Sequence, residues 1–247
     1  MSTLTLNCDL GESYGAWNLG HDAEIMPLID EANIACGFHA GDPATILKTL
    51  RLAIQNRVAI GAHPSYPDLV GFGRRSVNMS EADLYAAVLY QISALVGMAT
   101  SLSGKVAFVK PHGALYNDMM KNITLLDTVV EAVIDSPSKS ILVLQATTQS
   151  QELLERYRTR PIEMRFEAFA DRRYCTDGSL QNRRISGAVL SHDEALAQVE
   201  QLLHHKTVIC NDGTPLSLQA TTLCVHGDTP SALELARAIR EKLNAYT

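Results

Sequence analysis

Strand-length segments and longer helical stripes alternate along this chain. Seven strands are predicted: Thr3 to Cys8, Ala32 to Cys36, Val58 to His63, Val106 to Val109, Ile141 to Leu144, Glu163 to Ala170 and Thr221 to Val225. Most are short apolar runs, the pattern of strands covered on both faces. Apolar stripes at helical spacing lie between them: Ile46, Leu47, Leu50 and Ile54; Leu84, Val88, Ile92, Leu95 and Val96; Leu196, Val199, Leu202 and Leu203; Leu235, Ile239 and Leu243. Further helices are predicted near Asp22–Asp30, interrupted by Pro27, and over Leu125–Ile134 and Gln151–Arg158. Start signals agree with these stripes. Asp42-Pro43 and Thr229-Pro230 are cap-and-proline pairs, and Ser80-Glu-Ala-Asp83 and Ser191-His-Asp-Glu194 read as capping boxes. Val208 to Gly213 reads as a small strand and turn, and residues 176–190 as a turn-rich excursion.

About seven buried strands alternating with helices predict an α/β fold, a mostly parallel sheet closed or nearly closed into a (β/α) barrel. An open doubly wound sheet fits the same periodicity. The length, 247 residues, suits one barrel domain over residues 1–247, and no repeat, low-complexity tract or linker divides it.

Composition narrows the function classes. A net charge of −6 argues against a nucleic-acid partner. The five cysteines are odd in number and lack C-x-x-C spacing, as expected of reduced thiols in a cytoplasmic protein. No basic, apolar leader opens the sequence. The most apolar window, Ala86 to Ala99, is interrupted by Gln91 and Ser93 and falls short of the roughly 20 residues of a membrane span, so no membrane association is expected.

The chemistry gathers at strand ends. Asp9, His39, His63, Lys110 with His112, Asp171, and His226 with Asp228 follow six of the seven strands, the edge where barrel active sites lie. Carboxylates beside neutral imidazoles suit general acid–base work, and the same groups are ordinary ligands for a divalent metal. Both chemistries stay open at this level. The candidate catalytic groups are Asp9, His39, His63, His112 and Asp171, with Asp9 the preferred base. A metal, if bound, would draw on Asp9, His39 and His63. Asn33, Lys110, Tyr116, His226 and Asp228 are candidate substrate contacts. No G-x-S-x-G elbow and no G-x-x-x-x-G-K-[ST] phosphate loop is present.

Asn7-Cys-Asp-Leu-Gly-Glu12, Ala32 to Pro43, Gly61-Ala-His-Pro64, Gly71-Phe-Gly-Arg-Arg75, Lys110 to Asn117, Phe169-Ala-Asp-Arg172 and Cys224-Val-His-Gly-Asp228 resemble the LamB/YcsF family, over nearly the whole chain. The resemblance implies a distorted TIM-like barrel related to carbohydrate deacetylases. It also implies the A component of an ATP-dependent 5-oxoprolinase, cleaving 5-oxoproline to glutamate with two partner subunits, B and C. ATP would then be a co-substrate bound mainly by those partners. The substrate carboxylate needs a cation, for which Lys110 and Arg75 are the candidates. Two rivals remain: a metal-dependent deacetylase or amidohydrolase without ATP, and a non-catalytic lactam-binding subunit. Tyr66, Phe72 and Tyr116 are expected either as a docking patch for partners or as pocket wall.

Overall fold

The computed structural model describes residues 4–138, 141–183, 185–225 and 232–246. In chain order its strands are β1 (Thr5–Leu10), β2 (Glu31–Ala35), β3 (Ala59–His63), β4 (Val106–Val109), β5 (Ile141–Gln145), β6 (Glu163–Phe169), β7 (Thr207–Ile209), β8 (Pro215–Ser217) and β9 (Thr222–Val225). Its helices are α1 (Asp22–Ile25), α2 (Pro43–Asn56), α3 (Glu81–Ser101), α4 (Gly113–Met119), α5 (Ile123–Ile134), α6 (Ser150–Arg156), α7 (His192–His205) and α8 (Ala232–Tyr246). Strands β1, β2, β3, β4, β5, β6 and β9 form a closed parallel barrel, with β9 pairing both β6 and β1. This is the TIM-like barrel expected from the sequence, and closure excludes the open sheet.

Side chains on β1 sort by alternation. Leu6, Cys8 and Leu10 are buried in the hydrophobic core, whereas Asn7 bonds Glu167 and Thr222 on β6 and β9, across the lumen. Asp9, two residues on, shares that inward face. The lumen is therefore polar. One wall is opened by Gly61: a Cβ there would lie 2.1 Å from the Phe108 ring, which fills the space.

Local chemistry sets the helix starts. Asp42 accepts the amides of Ala44 and Thr45 and so caps α2. Ser191 and Glu194 form a full capping box at α7. At α3, Ser80 caps the Asp83 amide, but Asp83, a methylene shorter than glutamate, bonds the Ser80 hydroxyl instead of reaching back to the backbone. The 21 residues of α3 are long and apolar enough to cross a membrane by length and composition. In the fold, α3 packs against α2, α5, β3 and β4 through a buried face that includes Leu84, Val88, Ile92 and Leu95.

Three local differences from the expected elements matter. β1 continues through Asp9 to Leu10, so the carboxylate sits within the strand. A short helix, α4, occupies what reads as loop after Lys110. The 207–217 segment is a two-stranded antiparallel hairpin outside the barrel. The expected start of α8 at Thr229-Pro230 lies outside the described residues.

Candidate active site

Lys110, at the end of β4, is the centre of the lumen. Its Nζ lies 3.1 Å from Asp9 Oδ1, 3.0 Å from Glu167 Oε2, 3.2 Å from Asn7 Oδ1 and 3.1 Å from Cys224 Sγ. Burial favours the neutral amine, but the surrounding Asp9, Cys224 and Glu167 outweigh it and hold the ammonium pKa well above its ordinary value. A charged Lys110 in turn compensates two carboxylates that have little water. Asn33, on β2 beside Asp9 in register, donates to Asp9 Oδ1 at 2.8 Å and to Asn7 Oδ1 at 2.8 Å. Tyr116, from α4, donates to Glu167 Oε1 at 2.7 Å; burial and that carboxylate keep the phenol protonated.

Beside this network three imidazoles converge. His39 Nδ1 lies 3.0 Å from Ser65 Oγ, whose own proton goes to the Tyr66 carbonyl, so His39 is the donor of that pair. His63 Nδ1 lies 2.6 Å from the Lys110 carbonyl, and His112 Nε2 lies 2.9 Å from the Phe72 carbonyl; a carbonyl only accepts, so both nitrogens carry hydrogen. In the neutral rings the remaining nitrogens, His39 Nε2, His63 Nε2 and His112 Nδ1, therefore present lone pairs. These three atoms and a Glu12 oxygen lie within 4.8 Å of one another. Glu12 Oε1 is 3.2 Å from His39 Nε2, and His63 Nε2 is 2.9 Å from His112 Nδ1.

Burial first, and neighbouring imidazoles second, push the pKa of His39 and His112 well below the ordinary value. Lone pairs turned toward one another in neutral rings call for a cation between them. Three imidazoles with their outer N–H groups fixed by carbonyls or a hydroxyl, plus one carboxylate, are the donor set of a divalent transition-metal site. Gly73 permits the ring packing. At φ +62° a Cβ there would lie 2.8 Å from His39 Cβ and 2.9 Å from His112 Cδ2.

Above both groups opens a cavity of about 560 Å³. Asp9, His63, Lys110, His112 and Tyr116 line it, so five of the sequence-derived candidates come together. His39 lies behind His112, its ring stacked at 3.8 Å, and Asn33 lies beneath Asp9. Asp171 is buried, and its charge acts on Arg172. Arg75 is held by Asp68 in an ion pair and points away from the cavity lining, where its neighbour Arg74 stands instead. His226 and Asp228 lie outside the described residues.

The metal-capable group also differs from the expected one, joining His39 and His63 to Glu12 and His112 rather than to Asp9. Glu167, Asn7, Arg74, Arg172 and Arg183 complete the site or its cavity without having been singled out from sequence. The i, i+2 spacing of Asn7 and Asp9 on one strand face was a usable signal for Asn7. Tyr66 and Tyr116 are buried, and Phe72 packs edge-on to His39 and His112, so the aromatics are wall and support rather than a docking patch.

Comparison with known proteins agrees with this arrangement. The LamB/YcsF family model matches residues 4–247. One of two proteins named as the 5-oxoprolinase A component in Pseudomonas putida, the second, is 50% identical over 243 residues, covering 98% of this chain and 94% of its own. The 5-oxoprolinase A component of Vibrio cholerae is 48% identical over 243 residues, covering 98% of each chain. The crystal structure of a lactam utilization protein from Thermus thermophilus superposes with a TM-score of 0.89 at 40% identity, covering 98% of this chain and 96% of that one.

Proposed function

The chain belongs to the LamB/YcsF family, and from that premise we propose that it is the A component of a 5-oxoprolinase. It opens 5-oxo-L-proline to L-glutamate, coupled to ATP hydrolysis, in a complex with subunits B and C that hold most of the nucleotide contacts. The observation that carries this reading is identity of about half, over nearly the full length, to relatives of that name.

The geometry supports a chemical role for this chain rather than passive lactam binding. A lactam is a poor electrophile, and phosphorylation of its oxygen makes the ring carbon attackable. Water adds there, Asp9 takes the proton, and the C–N bond breaks as that proton passes to the departing amine. The resulting acyl phosphate consumes a second water, yielding the new carboxylate and phosphate. Lys110 keeps Asp9 ionised in the lumen, and Asn33 orients it. Tyr116 and Glu167 shape the cavity side of the network, and His226 and Asp228 keep their sequence-based assignment as substrate contacts.

The convergent lone pairs support a second component, a divalent cation held by Glu12, His39, His63 and His112. Such a cation supplies Lewis acidity to a carbonyl or a water. A metal-dependent amidohydrolase without ATP is the second reading, and the same donor set favours it. One experiment separates the two. The purified chain, alone and with its partner subunits, is given 5-oxoproline with and without Mg-ATP while glutamate and ADP are measured. Glutamate only with partners and ATP supports the oxoprolinase reading. Steady glutamate formation by the chain alone rejects partner dependence.

A further inference from the structure

The cavity over Asp9 and Lys110 carries more positive charge than lactam binding needs. Arg74 comes from the loop after β3, Arg172 from the end of β6, and Arg183 from the excursion that follows it, and all three line the cavity. Arg74 lies 4.9 Å over the Phe72 ring, an aromatic face that steadies its guanidinium. Arg172 is 7% exposed; its Nη2 donates to the Gln181 carbonyl at 2.7 Å, while its buried Nε has no hydrogen-bond partner. A buried N–H of a charged group left unpaired is costly, and a ligand oxygen would relieve it.

The electrostatics point the same way. Burial, then the nearby Arg183, push the Arg172 pKa down to about 10, with Arg74 adding to the effect and Asp171 opposing it. The cations thus crowd one another, and the guanidinium still stays charged at neutral pH. Lys110 cannot serve as the anion receptor, because Asp9, Glu167, Asn7 and Cys224 already surround its Nζ.

We propose that Arg74, Arg172 and Arg183 form a subsite for a phosphoryl group. A planar carboxylate is satisfied by the fork of one arginine, whereas guanidiniums arriving from three chain segments match the three oxygens of a tetrahedral dianion. The subsite rests on the reading of this cavity as that of an ATP-coupled lactam hydrolase. In that chemistry a phosphoryl group is carried into the site on the lactam oxygen and leaves as phosphate. Its position beside Asp9 fits it to hold that group while water attacks.

The test is calorimetric titration of the purified chain with inorganic phosphate and, separately, with 5-oxoproline, in wild type and in Arg74→Gln, Arg183→Gln and Arg172→Met. Phosphate is expected to bind, and each substitution to weaken it about tenfold or more, the worth of one charge-assisted hydrogen bond. Arg74 and Arg183 are not buried, so those two variants keep the test decisive if Arg172→Met fails to fold. Phosphate affinity unchanged in both overturns the subsite. So does arginine-dependent binding of 5-oxoproline with no binding of phosphate, which would give the arginines to the substrate carboxylate. Turnover by the wild-type complex without phosphate binding rejects the subsite and spares the functional reading. Arginine-dependent phosphate binding in a chain whose complex never turns over keeps the subsite and rejects that reading.

Discussion

His63 Nε2 and His112 Nδ1 lie 2.9 Å apart, and each ring has its other nitrogen bonded to a main-chain carbonyl. The backbone thus fixes which nitrogen faces inward before any ligand arrives. The expected outcome is about one equivalent of a divalent transition metal per chain after purification without chelator. Mass spectrometry of metal content checks this, and His112→Ala should lose the metal. Ser65→Ala, which removes the partner of His39 Nδ1, should weaken metal affinity about 10-fold, the lower end of outer-partner effects. Unaltered affinity in both variants would show that the cluster holds no metal.

Lys110 makes a second prediction. It compensates both Asp9 and Glu167 in a place with little water. Lys110→Met leaves two carboxylates facing each other, and breaking a buried pair costs about 3–5 kcal/mol. Denaturant unfolding should show a loss of that order. Thr222 and Asn7 bond the same network, and a loss below about 1 kcal/mol would mean that they suffice to absorb the charge.

Gly61 and Phe108 are coupled by space. Gly61→Ala puts a methyl group 2.1 Å from the ring, and overpacking of this kind costs about 1–3 kcal/mol. Phe108→Leu in the same chain should recover part of that loss. A double-mutant cycle with no coupling would contradict this packing.

Asp42 gives a pH-dependent prediction. Amide hydrogen bonds from Gly15 and Thr45, with the Thr45 hydroxyl, lower its pKa from the ordinary 3.8 to about 2. A depressed carboxyl contributes stability above its unfolded pKa and loses it as pH falls through the folded value. The stability gap between wild type and Asp42→Ala should therefore be full above pH 4 and narrow toward pH 2. A gap that is constant across that window would show that the cap acts through shape and not charge.

The barrel was legible because its strands are covered on both faces and so read as short apolar runs between helical stripes. Asp9, His63, Lys110, His112 and Tyr116 were legible because strand ends converge on closure. The remainder was hidden for identifiable reasons. Asn7, Asn33 and Glu167 face a polar lumen, which inverts the rule that inward positions are apolar. Glu12 lies three residues beyond Asp9, and only the fold of that loop brings it to His39. Arg74 and Arg75 are adjacent, and nothing in their order tells which one Asp68 captures. At seven residues, α4 is too short for periodicity to separate it from loop.

Asp9 is the residue on which the proposed chemistry turns, because it lines the cavity and meets Lys110, Asn33 and His63 at once. The most direct measurement is ATP-dependent glutamate release from 5-oxoproline by the reconstituted complex carrying Asp9→Asn in this chain. The turnover number should fall about 10²-fold or more, the usual contribution of a general base, with the variant folded and still assembling with its partners. Full turnover by that assembled variant would contradict the account.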